Sequence, residues 1–271
     1  MPTAAEREYE KALKTFETQV GEATQIWFAA SAMQEAAKRS RATLEAINAT
    51  PLYWRTVQGA LERFTLIAIG KIFDQSRRTP KNIDTILRLT YQAREGVLSK
   101  PALEGRKREG SATADEWLRD YMARAHNPQK SDVRRLHKLV KKYRKIYSSQ
   151  YEEIRNRHIA HTDIVDEVEL AALYAKTNIR DLERLIIFLN KFHNTLWNVF
   201  FNGTRARLRP MRYSARSLGR KKMSDLRRGA VHEDMVFQTR ECLRILTAGA
   251  LSTGRIRRHG RHYRIVPAPH H

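Results

Sequence analysis

One short stretch of the chain, residues 155–163, combines residue types that could cut an RNA backbone; it reads Arg-Asn-Arg-His-Ile-Ala-His-Thr-Asp. An arginine grips a phosphate through its bidentate guanidinium group. A histidine can transfer a proton near neutral pH. The side-chain amide of Asn156 offers both a donor and an acceptor to hold a substrate or orient a partner. Together these groups could cleave RNA without a metal ion.

The stretch follows a long amphipathic pattern that predicts a helix with Ser131 as its N-cap. Its apolar side chains recur at spacings of three and four residues, which is typical of a helix buried on one side: Val133, Leu136, Val140, Tyr143, Tyr147, Tyr151 and Ile154. An α-helix that continued unchanged would carry His158 and His161 on the same face. Arg155 would then lie on the flank, and Asn156 would point away.

One ideal helix therefore cannot bring Arg155, Asn156 and His161 to the same phosphate. Two solutions exist. The helix could end or bend inside the stretch, or a second copy of the chain could complete the site across a two-fold axis. We favour the second.

The rest of the chain before residue 203 also predicts helices, because glycine and proline are sparse and no period-2 alternation occurs. They are predicted over residues 4–47, 51–73 with Thr50 as N-cap, 82–94, 114–125 and 178–201. In the second, one face is predicted to contain Trp54, Val57, Leu61, Phe64 and Ala68. The stretch 95–113, with three glycines and a proline, predicts an exposed loop. The fold class is accordingly all-α, with one domain over residues 1–202.

The charge is concentrated in a basic C-terminal extension, residues 203–271. The chain has a formal net charge of +22, of which this extension carries +13. Such an excess predicts a polyanionic partner, and we expect RNA. The extension is either a basic arm or a small accessory domain; a helix is predicted over 235–247 and a hairpin over 255–265.

Six cations on the helix before the motif are predicted to bind RNA phosphates: Arg134, Arg135, Lys138, Lys141, Lys142 and Lys145. Together with Arg144, they give seven positive charges and no acidic residue between Asp132 and Glu152. A solvated helix face has the same composition, so the sequence leaves both interpretations open.

The spacing Arg155-Asn156-x4-His161, followed by Thr162-Asp163, resembles the motif of the HEPN superfamily (higher eukaryotes and prokaryotes nucleotide-binding domain). The whole stretch, preceded by Tyr-x2-Ile, looks most like the abortive-infection branch. A helix that ends in aliphatic-Phe-Asp recurs in that branch, and Ile72-Phe73-Asp74 matches it here. The resemblance covers residues 1–202 and implies a HEPN-like bundle of long helices.

The resemblance further implies a homodimer with one composite, metal-independent endoribonuclease site. In such a site His161 would be the general acid and base during attack by the ribose 2′-hydroxyl group. Arg155 would stabilise the charge on the phosphorane, and Asn156 would position the phosphate or His161. The protein would be a toxin or antiviral effector, held by an antitoxin or regulatory partner, and no cofactor is expected.

Two rival functions stay open at this point. The first is a non-catalytic helical module that binds RNA or a partner protein. The second is a DNA-associated regulator that uses the basic extension, although no clear helix-turn-helix signal supports it.

Three supporting residues have competing interpretations. His158 fits packing better than catalysis, and Asp163 could orient a histidine or cap the next element. Asp74 ends a helix and could lie near the site. His158, His161 and Asp163 also have the spacing of metal ligands, but the arginines among them oppose a divalent cation, so no metal site is expected.

Cysteine content and hydropathy indicate the compartment. The single cysteine, Cys242, excludes an intrachain disulfide and suits a reducing environment. The N-terminus has no apolar signal segment, and no apolar run is long enough to span a membrane. We therefore expect a soluble protein of the cytoplasm with no membrane partner.

Overall fold

The computed structural model describes residues 2–75, 82–160, 167–211, 213–226 and 229–252, and no β-strand occurs among them. The α-helices are, in chain order, α1 (Ala4–Arg39), α2 (Arg41–Ala49), α3 (Pro51–Phe73), α4 (Ile83–Ala93), α5 (Lys100–Glu109), α6 (Ala114–Arg124), α7 (Lys130–Gln150), α8 (Glu167–Ala175), α9 (Ile179–Asn202), α10 (Ala215–Arg220) and α11 (Val231–Ser252). A π-helical segment, Ile154–Ala160, follows α7, and a 3-10 turn, Met223–Asp225, precedes α11. The predicted all-α class is confirmed.

Short polar side chains begin several helices by accepting hydrogen bonds from unpaired amides of the first turn. The Asn82 side chain accepts from the Thr85 amide over 2.9 Å at the start of α4. The Asn178 side chain accepts from the Arg180 amide over 2.9 Å at the start of α9. Gly203 ends α9 at a φ of 54°, where an added Cβ would lie 2.3 Å from a Leu103 methyl carbon, so glycine is required there.

The predicted loop over residues 95–113 is wrong, because α5 lies within it. Ser99 caps this helix, and Pro101 occupies its first turn, where proline needs no amide partner. Leu103 is fully buried, and Arg106 forms an ion pair with Glu6 that solvent barely reaches. Most other residues of α5 are polar or charged, so the segment lacks the apolar stripe on which the helix predictions were based.

The single helix predicted over residues 4–47 is two helices, because Ser40 separates α1 from α2 and its side chain caps α2.

Two details of the other predicted helices also differ from the structure. Gln129, not Ser131, caps α7, because the Asp132 carboxylate accepts from the Gln129 amide and completes a capping box. Phe64 was predicted on the buried face of α3, but its side chain is 57% exposed. Burial on α3 is instead concentrated in its last turns, which end at Phe73.

The chain divides into two compact units, each made of three stretches of sequence. The first comprises residues 1–21, 68–153 and 178–211. Its core surrounds α9, where Phe192 packs edge-on to Phe16 with ring centroids 5.7 Å apart. One turn earlier on the same side of α9, Phe188 stacks on Tyr143 at 3.9 Å. The buried residues of α9 spread over roughly half of its circumference.

The second unit comprises residues 22–67, 154–177 and 212–271. Its buried cluster contains Met33 of α1, Ile47 of α2 and Leu243 of α11. The helix predicted over residues 235–247 is therefore confirmed and contributes to a core. The predicted hairpin over 255–265 lies outside the described residues.

The end of α9 at Asn202 coincides with the predicted boundary between residues 202 and 203, but a separate domain after it stays a prediction. Within the described residues, every helix is too short or too polar to cross a membrane.

Candidate functional site

The motif lies on a chain segment whose two ends are hydrogen-bonded to each other. Tyr151, directly after α7, donates its hydroxyl proton to the carbonyl oxygen of Asn178, directly before α9. The Gln150 side chain also donates to the Asp181 carboxylate over 2.9 Å. Burial raises the pKa of the Tyr151 hydroxyl, so this group stays a proton donor. These bonds hold the two ends of segment 152–177 next to each other.

The motif itself is not a continuation of α7. That helix ends at Gln150, and Ile154–Ala160 is π-helical, with hydrogen bonds between residues five apart. The steps of 100° per residue that predicted the faces of the motif therefore do not apply here. The prediction that an ideal α-helix continues through the motif is therefore wrong. Turns of this kind occur often at functional sites.

Arg155 and Asn156 are hydrogen-bonded to each other within this turn. The Arg155 Nη1 atom donates to the Asn156 Oδ1 atom over 3.3 Å. Arg155 is half-buried and Asn156 is exposed, whereas Ile154 before them is fully buried. The guanidinium and amide groups of the predicted site are thus adjacent within one chain.

Arg157 makes a contact that the sequence did not indicate. Its guanidinium group forms an ion pair with Glu169 of α8, and both side chains remain partly exposed. The contact joins the π-helical segment to the helix that follows it. The acidic residues at the start of α8 could have indicated a partner for Arg157, but the helix α8 itself was not predicted.

The other predicted site residues are only partly covered by the structure. His161 and Asp163 lie outside the described residues, and the backbone of His158 is within the π-helical segment. Asp74 follows α3, is half-buried, and its carbonyl oxygen accepts from the Asn82 side chain over 2.8 Å. Their roles stay predictions. In the described part of the chain, no three His, Cys, Asp or Glu side chains are arranged to hold a metal ion.

The six cations predicted to bind RNA are all exposed on α7: Arg134, Arg135, Lys138, Lys141, Lys142 and Lys145. Arg144 differs from them, because its guanidinium group is buried against Asp84 of α4 at 2.7 Å. Arg144 is therefore structural and does not contribute a free charge to the basic face. RNA binding by the six others stays a prediction.

Comparison with known families identifies the chain. The family model for AbiU2, a HEPN family, matches residues 6–216, which include both the 155–163 motif and Ile72-Phe73-Asp74. No curated protein and no solved structure gives a significant match. Because the match covers well over half of the chain, the protein belongs to the HEPN superfamily, in its abortive-infection-like AbiU2 family.

Proposed function

We propose that this protein is a metal-independent endoribonuclease that acts as a toxin or antiviral effector of abortive infection. The observation that carries the proposal is the contact between Arg155 and Asn156 in a π-helical turn that leads to His161. The turn stands in a chain of the AbiU2 family. Family membership alone does not define an activity, so the proposed activity depends on these groups.

In the proposed reaction, the 2′-oxygen of a ribose attacks the adjacent phosphorus atom. His161 of one copy takes the proton from that oxygen, and the protonated imidazole of His161 in the second copy gives a proton to the 5′-oxygen as its bond to phosphorus breaks. The products are a 2′,3′-cyclic phosphate and a 5′-hydroxyl group. Arg155 binds the phosphate most strongly when its charge increases in the transition state, which is where binding accelerates a reaction. Asn156 positions the phosphate or His161.

A homodimer would supply two copies of each group around one site. The second unit exposes large apolar side chains on the two helices α3 and α8, including Leu52 at 79% and Val168 at 74%. Contact with a partner would remove these apolar side chains from water, which favours association. We assign this partner to a second copy of the chain. Mixed Arg155→Ala and His161→Ala subunits should then recover cleavage, and a monomer that cuts RNA would exclude the composite site.

The rival function is a non-catalytic RNA-binding module, which the exposed basic face of α7 favours. A His161→Ala variant separates the two. As a nuclease, the protein should lose RNA cleavage and retain RNA affinity in this variant, because arginine and lysine side chains supply most of the affinity for phosphates. As a binding module, the wild type would bind RNA without cutting it.

The proposed effector acts on cellular RNA in the cytoplasm and is held inactive by an antitoxin or regulatory partner. The gene beside it is expected to encode this partner. Co-expression of that neighbour should suppress toxicity of the wild type; unchanged toxicity would argue against restraint by that partner.

A further inference from the structure

A cleft of about 690 Å³ lies in the first unit, between the end of α6 and the end of α9. The side chains that line it include Arg124, His126 and Arg205, together with Tyr121 and Asn202. Among the described residues, no carboxylate group lines this cleft. The sequence did not indicate it, since its two walls are about 80 residues apart in the chain.

The two walls of the cleft are held together by hydrogen bonds. The backbone amide of His126 donates to the carbonyl oxygen of Gly203 over 2.7 Å. The Tyr121 hydroxyl donates to the carbonyl oxygen of Asn202 over 3.0 Å, and burial raises the pKa of this hydroxyl. Lys107 lies 5.2 Å from the centroid of the Tyr121 ring. The cleft therefore has a defined shape and does not need a ligand to form it.

The helix ends at the cleft use only part of its hydrogen-bonding capacity. The free carbonyl groups at a helix C-terminus attract positive charge. At the end of α6, the Asp120 carbonyl accepts from Arg124 Nε over 3.2 Å, and that of Met122 accepts from Lys100 over 3.0 Å. At the end of α9, the Asn202 carbonyl accepts from the Tyr121 hydroxyl, and that of Gly203 accepts from the His126 amide.

Donors for an external anion thus remain in the cleft. The terminal Nη groups of Arg124, and the whole guanidinium group of Arg205, have no hydrogen-bond acceptor in the described part of the chain. Both residues are exposed. Such groups bind a phosphate through paired, charge-assisted hydrogen bonds.

The cleft also connects to the basic face of α7. His126 contacts the buried Asp132 carboxylate at 2.7 Å, and Arg135 of the basic face lies 3.5 Å from the other oxygen of the same carboxylate. Burial raises the pKa of Asp132, but the His126 hydrogen bond and the Gln129 amide outweigh this effect and hold it below its usual value. Asp132 thus stays ionised and fixes His126 beside the basic face.

We propose that this cleft is a binding site for the backbone phosphates of single-stranded RNA, gripped by Arg124 and Arg205. It extends the basic face of α7 beyond the N-terminus of that helix. The choice of RNA as the ligand rests on the proposed function. The cleft itself is distinct from the motif at residues 155–163.

The test compares double variants by RNA affinity, in a His161→Ala background that prevents cleavage. Arg124→Gln with Arg205→Gln should raise the Kd for a labelled single-stranded RNA roughly ten-fold, because two charge-assisted contacts are lost. The plot of the logarithm of the association constant against the logarithm of the salt concentration should become less steep. Its slope should decrease in magnitude by about 1.4, or roughly 0.7 for each lost phosphate contact. Arg124→Lys with Arg205→Lys should recover much of the affinity, since the charge returns.

The matched control is Arg41→Gln with Arg55→Gln, which removes the same charge from exposed positions outside the cleft. If both Gln pairs weaken binding equally, the cleft is not a binding site and the effect is one of net charge. If the cleft pair alone weakens binding but the wild type never cuts RNA, the cleft stands and the proposed nuclease function fails. Unfolding temperatures equal to wild type show that the fold is retained.

Discussion

The hydroxyl group of Tyr151 donates to the carbonyl oxygen of Asn178 and so joins the two ends of the segment that carries Arg155 and Asn156. The residues that it links are 27 positions apart. Among the described residues of the motif, neither Arg155 nor Asn156 takes part in this bond, which fixes only the ends of the segment.

Removal of this hydroxyl should therefore affect catalysis more than stability. We expect Tyr151→Phe to cost about 1 kcal/mol of unfolding free energy. Cleavage should fall by up to about 100-fold, because small displacements of reacting groups are costly. Tyr9→Phe is the control, since its hydroxyl also makes a buried bond, to Thr90 at 3.0 Å, in the same unit. If both variants lower the cleavage rate equally, the bond at Tyr151 does not position the motif.

Arg155→Lys tests the guanidinium fork while it preserves the charge. Lysine cannot bind a phosphate through two parallel donors, so single-turnover cleavage should fall roughly 10²–10³-fold, as for the loss of a transition-state donor. RNA affinity should change little. Arg157→Lys, two residues away, retains an ion pair with Glu169 and should cut nearly as fast as wild type. If the two variants lose cleavage rate to a similar extent, Arg155 has no special role in the reaction.

The end of the basic extension should contribute affinity that depends on salt. A deletion from residue 203 would remove Leu243 from a buried cluster, so the informative deletion is residues 253–271. These residues contain five arginines and no acidic residue. In the variant without these residues, the slope of log K against log salt concentration should decrease in magnitude by up to about 3.5, at roughly 0.7 per phosphate contact. Equal slopes with and without these residues would show that they do not touch RNA.

Acidification should destabilise the second unit through His232. Burial lowers the pKa of this histidine, whose ring stacks on Tyr213 with centroids 3.9 Å apart. Below the usual value of about 6.5, the unfolded chain binds a proton that the folded ring does not, so stability falls as the pH falls. His232→Phe keeps an aromatic ring and should lose less stability between about pH 7.5 and 5.5. Melting curves that change with pH as much as those of wild type would exclude this residue as a cause.

The sequence predicted those helices whose apolar faces repeat every three or four residues, and α7 and α9 are the clearest cases. It failed for α5, since Leu103 and its few apolar neighbours do not make a stripe. It also failed for the geometry of the motif, because no pattern of side chains distinguishes a π-helical turn from an α-helical one. Contacts such as that of Arg157 with Glu169 depend on this turn and could not be foreseen.

The proposed activity is cleavage of RNA by Arg155, Asn156 and His161 without a metal ion. The most direct measurement is incubation of wild-type protein and the His161→Ala variant with a labelled RNA in excess chelator, followed by analysis of the RNA ends. We predict that only the wild type cuts and that it leaves 2′,3′-cyclic phosphate and 5′-hydroxyl ends. Cleavage that stops in chelator and returns with magnesium or manganese, or products with 3′-hydroxyl ends, would contradict the account.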